Sequence, residues 1–244
     1  MIVTAPDSPS ERATHWVLFT QTDHAGLAAD ILGLMPRLAD HPLRDELLRA
    51  TREHDNGWAE SDSAPRVDAQ GLPCDFRSMP SLARLDLWQR GVQRHLTADP
   101  PVALLILRHA LRLHRGDADP PWAEALRSWT ALEYELRQDL LLDEELVDET
   151  YRHLELADSI SLAACGALDQ ASVAGARITR LPRSEVEDPE LFAAVRLEPF
   201  PLAGSTTFRI SGRRIPRRPY SDTVDLGSAT ATARWERFRI TLTA

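Results

Sequence analysis

Apolar residues recur at helical spacing from Thr22 to about Leu168, and after Gly175 that spacing gives way to short, partly alternating segments. A period near 3.6 builds helices with one buried face, and a period near 2 builds strands. The change of period therefore predicts a mainly α body over residues 1–174, followed by a small strand-rich C-terminal extension over residues 175–244, an α+β arrangement overall.

Within the body, a short extended run, His15 to Thr20, follows an irregular polar lead. Leu27, Ala28, Ile31, Leu32, Leu34, Met35 and Leu38 then mark a helix with Thr22 or Asp23 as its N-cap, which puts His24 in the first turn. A second helix is expected from about Pro42 to His54, ended by Asn56-Gly57. From Asn56 to Pro80 the pattern is lost among Pro65, Gly71, Pro73 and Pro80, and a loop of that length inside a domain is often functional. Helices return over Leu82 to Leu96, Pro101 to His114, 121–142 and 144–168, the second of them apolar enough to be central. In the tail, strands are expected at Ala194 to Leu197, Thr206 to Ile210 and Trp235 to Leu242, with a turn at Ser211-Gly212 and an edge or loop over Arg213 to Arg218.

Composition narrows the chemistry. All 28 basic residues are arginine, which removes lysine nucleophiles and Schiff bases. A net charge of −9 argues against a general nucleic-acid binder, although Arg209, Arg213, Arg214, Arg217 and Arg218 crowd one stretch. No apolar run is long enough to span a bilayer, and the first residues lack a basic region followed by an apolar one, so a cytoplasmic protein is expected. The two cysteines, Cys74 and Cys165, form no CxxC pair, so neither a disulfide framework nor a cysteine-rich zinc site is supported.

Chemistry-bearing residues concentrate on the helices. Asp158 sits among Leu154, Leu156, Ala157, Ile160, Leu162, Ala163 and Ala164, and a carboxylate in such surroundings needs a partner. His24 and the doublet His54-Asp55 supply imidazole and carboxylate donors of the kind that hold borderline divalent cations. His15, His41, His95 and His153 read as surface or hydrogen-bonded residues.

The order His24, His54-Asp55, Asp158 on three predicted helices resembles the HD-domain superfamily, whose helical core binds metal through His, His-Asp and Asp in that order. The segments Gln21-Thr22-Asp23-His24, His54-Asp55-Asn56-Gly57-Trp58 and Asp158-Ser159-Ile160-Ser161-Leu162 also resemble a bacterial family with a QxDH, HDxGW and DxxSL signature. The resemblance implies an HD-like bundle and a metal site of His24, His54, Asp55 and Asp158. The expected cofactor is one or two divalent transition ions: Fe, Mn, Zn, Co or Ni. In two-metal members the equivalent of Asp55 bridges, and further histidines join. Here His109 is the candidate, with His114 and His95 behind it. His109 and His114 are five apart on a helix and so point to different faces.

The leading expectation is hydrolysis of a phosphate ester of a small molecule or nucleotide. Asp55 and His109 would handle protons, and Arg108, Arg112 and Trp58 would contact the substrate. An HD-type diiron oxygenase acting on a small molecule is the alternative, and a non-catalytic, metal-stabilised ligand-binding protein is a third. A small-molecule partner is expected in each case, with neither nucleic acid nor membrane.

Overall fold

The computed structural model describes residues 1–5, 14–117 and 119–244. The polar lead expected near the N-terminus falls mostly on residues 6–13, outside the described ones. Its first residues, Ile2–Thr4, form strand β1. Strand β2 (His15–Phe19) leads directly into helix α1 (Gln21–Gly33), followed by α2 (Arg44–Glu53) and the short α3 (Ala59–Ser63). Four longer helices come next: α4 (Ser81–Gln93), α5 (Pro100–Leu113), α6 (Pro120–Asp139) and α7 (Glu144–Ala164). The remainder forms β3 (Gln170–Val173), β4 (Ala176–Arg180), β5 (Leu191–Glu198), β6 (Thr206–Pro216), α8 (Thr223–Thr232) and β7 (Trp235–Thr243).

Among the described residues, all the strands join one seven-stranded sheet in the order β1-β2-β6-β7-β5-β4-β3. β5 and β7 pair in parallel and every other neighbouring pair is antiparallel. The expected helical bundle with a small strand-rich tail is thereby overturned: the architecture is a mixed sheet with helices packed against it, α1 on β6 and α7 on β3, β4 and β5.

The physical reason lies in β2 and β6. Val17, Leu18 and Phe19 are buried in succession, as suits a strand covered on both faces. Their partners, Arg213 and Arg214, lie far along the chain, so no local period announces the pairing. The turn expected at Ser211-Gly212 does not form, and β6 runs straight through it to Pro216. Gly212 suits a strand here because a Cβ would stand 2.8 Å from the ring of Phe19, where only glycine lets the neighbouring strand approach. The arginines expected on an edge or loop lie within this strand, Arg213 over the Trp235 ring at 4.1 Å and Arg214 over Phe238 at 5.2 Å.

Helix α5 is the centre of the helical layer. Val102 to Ala110 is buried without interruption, including Arg108 and His109. A helix apolar on all sides must be enclosed on all sides, and α5 packs on α2, α4, α6 and α7. Any polar group on it therefore needs a partner inside the protein.

A candidate metal centre on three helices

The site is built from helix ends and one helix middle. Thr20 caps α1, its hydroxyl accepting from the Asp23 amide at 3.0 Å, and this sets His24 in the first turn, 1% exposed. His54 is the C-cap residue of α2, and Asp55 opens the tight turn Asn56–Trp58. That turn is held by the Asn56 side-chain amide, which donates to the carbonyls of Glu53 (2.7 Å) and Gly91 (3.2 Å). At Gly57 a Cβ would lie 2.0 Å from the Leu87 carbonyl oxygen, so the close approach of α4 requires glycine there. Asp158 projects from the buried middle of α7.

These side chains converge. His24 Nε2 lies 3.1 Å from Asp55 Oδ2 and 3.3 Å from Asp158 Oδ1, and His54 Nε2 lies 3.4 Å from each of the same two oxygens. His109 stands on the other side of His54, with ring centroids 5.0 Å apart, and its Nε2 is 3.9 Å from Asp158 Oδ2. Two buried groups, His24–His54–Asp55 and His54–His109–Asp158, each place their ligand atoms within 4.8 Å of one another and could hold a metal ion. Asp158 turns Oδ1 to one pair of histidines and Oδ2 to His109, so in this geometry it is the carboxylate that faces both sides.

The hydrogen bonds fix which ring nitrogens are free. His54 Nδ1 donates to the Thr51 carbonyl at 2.7 Å, which leaves Nε2 as the inward atom, buried and without a hydrogen-bond partner. The Ser161 hydroxyl donates to the Asp158 carbonyl (2.8 Å), so it accepts from His24 Nδ1 (2.6 Å) and leaves His24 Nε2 facing the carboxylates. Two imidazole lone pairs and two carboxylates thus converge on one buried point. This donor set fits a divalent cation, with the orienting bonds that metal-bound histidines ordinarily have.

The electrostatics agree. Burial opposes a charge on His54, yet Asp55 and then Asp158 hold its imidazolium well above the ordinary range, the proton standing where a cation would. Against the same burial, His54 and His24 hold Asp55 and Asp158 low. His109 goes the other way: burial, and then the charge on His54, push it down to about 4.

A cavity of about 280 Å³ opens onto the cluster. Its lining includes His24, Asp55, His109, Asp158 and Trp58 together with Phe76, Arg77, Arg84 and Trp88. The segment expected to be a functional loop supplies Trp58, Phe76 and Arg77, although it is partly ordered into α3 and a turn at Phe76–Ser78. Arg108 and Arg112, expected to contact substrate, do not line the cavity. Arg108 is buried against Glu133, Glu144 and Asp148, and Arg112 binds Asp148 at 2.5 Å. Carboxylates on α6 and α7 claim both arginines, and the cavity's cations are Arg77 and Arg84 instead. Of the weaker histidines, His114 lines the cavity but bonds Asp117 (2.7 Å), and His95 lies 4.0 Å from Glu53.

Fold and site together define a mixed α/β protein with a buried histidine-carboxylate cluster suited to a metal ion. Residues 2–217 match the family described as protein of unknown function (DUF3891), and the chain belongs to that family. No curated protein and no solved structure matches it. Among the described residues, no helix is long and apolar enough to cross a membrane.

Proposed function

We propose that this protein is a metal-dependent hydrolase of the HD type acting on a phosphate ester of a small molecule. The observation that carries the reading is that His24 and His54 each turn Nε2 to within 3.4 Å of both Asp55 and Asp158 at the floor of a cavity. A divalent cation held there (Fe, Mn, Zn, Co or Ni) supplies Lewis acidity that acidifies water and polarises a phosphoryl oxygen. The protein's own residues do the rest. Thr51 and Ser161 orient the two imidazoles, and Asp55 and Asp158 balance the cation's charge. His109, neutral at neutral pH, offers Nε2 as a proton acceptor while Tyr151 holds its Nδ1 at 3.2 Å. Trp58 and Trp88, both nearly buried, keep bulk water from the cluster.

The second group, His54–His109–Asp158, favours one other reading, an HD-type diiron oxygenase. Elemental analysis of protein purified with and without air separates the two. One ion per chain with phosphatase activity on p-nitrophenyl phosphate supports the hydrolase; two irons per chain and oxygen uptake support the oxygenase. His54→Ala or Asp55→Ala should abolish bound metal and hydrolysis together, and a metal-free variant with full activity would sink the proposal.

A further inference from the structure

The cavity over the cluster carries one cation that no carboxylate among the described residues answers. Arg77 is satisfied: its Nε donates to Asp75 Oδ1 at 2.6 Å and its Nη1 to the Ala167 carbonyl at 3.1 Å. His114 donates Nδ1–H to Asp117 Oδ2 at 2.7 Å. Asp55 and Asp158 are turned to the histidines. Arg84, from the first turn of α4, differs from all of these. It is half-buried, its Nε is buried without a hydrogen-bond partner, and among the described residues no carboxylate pairs with its guanidinium. Elsewhere the protein spends carboxylates freely on arginine, three on Arg108 alone.

A half-buried guanidinium that lines a cavity and has no carboxylate partner among the described residues is placed to receive an anion from outside. The planar fork of N–H donors matches a carboxylate or phosphate through two parallel bonds. The other lining residues set the rest of the ligand. Trp58, Phe76, Trp88, Leu113 and Leu162 present aromatic and aliphatic surface, which rewards an apolar or flat body. With Arg77 and His114 already paired, Arg84 is the positive charge among the described lining residues that has no carboxylate partner among the described residues.

We propose that this cavity binds a small organic oxyanion, its phosphate or carboxylate held by Arg84 and its apolar body lying against Trp58, Trp88 and Leu162. The proposal names the substrate class of the site described above and rests on the hydrolase reading only for what happens to the ligand after it binds.

The test is calorimetric titration of the full chain, both EDTA-dialysed and manganese-loaded, with phenyl phosphate, benzoate and the neutral benzyl alcohol. Wild type should bind at least one of the two oxyanions and bind benzyl alcohol far more weakly. Arg84→Ala should weaken oxyanion binding about tenfold or more, as expected for a lost charged hydrogen bond. Arg84→Lys, which keeps the charge and loses the fork, should fall between. Arg127→Ala, on the exposed face of α6, should bind like wild type. Equal affinity in wild type and Arg84→Ala would overturn the proposal, as would equal binding of benzyl alcohol or no oxyanion binding at all by wild type. Arg84-dependent binding in a protein that takes up no metal would sink the hydrolase reading alone. Preference for benzoate supports the oxyanion site and counts against a phosphate ester.

Discussion

Two histidine pairs, one beside helix α7 and one including its own His153, meet in nearly the same ring geometry and behave in opposite ways. His24 and His54 meet edge to face at 5.2 Å and 86°, and His41 and His153 meet at 5.8 Å and 88°. Each pair has a hydroxyl from α7 beside it. Ser161 donates to a carbonyl and accepts from His24, and Thr150 donates to the Leu146 carbonyl while lying 3.5 Å from His41 Nε2. The difference is the charge that surrounds them. Asp55 and Asp158 raise His54, whereas at His153 burial, then Arg37 and His41, push the imidazole down to about 4. Paired imidazoles do not by themselves make a cation site. The first pair differs in the carboxylates between its rings, with which it could hold a cation.

Removing those carboxylates should therefore have the largest effect. Asp158→Asn keeps the shape of the side chain and removes the charge that faces all three inner histidines, so bound metal should fall to background in elemental analysis, while His153→Gln should leave metal content untouched. Retention of full metal by Asp158→Asn would erase the distinction between the pairs. Next comes the hydroxyl: Ser161→Ala should weaken metal binding by about 10- to 100-fold, the usual consequence of losing a partner that orients a ligand, and Thr150→Ala should not change it. Competition with a chromogenic chelator measures both. His109→Ala is expected to leave the first ion in place and remove only a second, so a chain that carries one ion should keep it.

The smallest effect lies at the other pair and concerns acid. A histidine with a depressed folded pKa takes up its proton more readily when unfolded. Its contribution to stability is therefore intact above about pH 6.5 and is lost as pH falls from there through about 4. His153→Gln should flatten this part of the acid response, by about 2 kcal/mol between neutral pH and pH 4, reduced further to the extent that solvent reaches the ring. Urea unfolding of wild type and variant at several pH values reads it directly, and parallel curves would show that His153 is protonated as easily in the folded state.

Much of the helical layer was legible in the sequence because helical periodicity is local. The apolar run Val102 to Leu107 announces α5, and the stop at Asn56-Gly57 places His54 and Asp55 at a helix end. The sheet was hidden because its pairings are remote. Val17 meets Arg214, and strand β6 contains a glycine and arginines that read as a turn and a loop until Phe19 is seen packed against that glycine. Helix α8 was missed although Asp222 caps it, its side chain accepting from the Asp225 amide at 2.8 Å. The site divides the same way. The converging histidines and aspartates carry their chemistry in their identity, but no spacing rule could show that Arg108 and Arg112 would be claimed by Glu133, Glu144 and Asp148 while Arg84, with no carboxylate partner among the described residues, lined the cavity.

Strand β2 has one further consequence, which concerns order in time. It runs into the cap of α1, so the first turn bearing His24 is anchored to a strand whose inner neighbour, β6, is synthesised late. Helices α2, α5 and α7 can form and meet on a growing chain, but among the described residues β2 has only the three residues of β1 to pair with until residues 206–216 have appeared. A nascent chain stopped before that point could already pack α1, with its Thr20 cap and His24, on α2 and α7, while β2, the strand that leads into it, still lacked its inner neighbour.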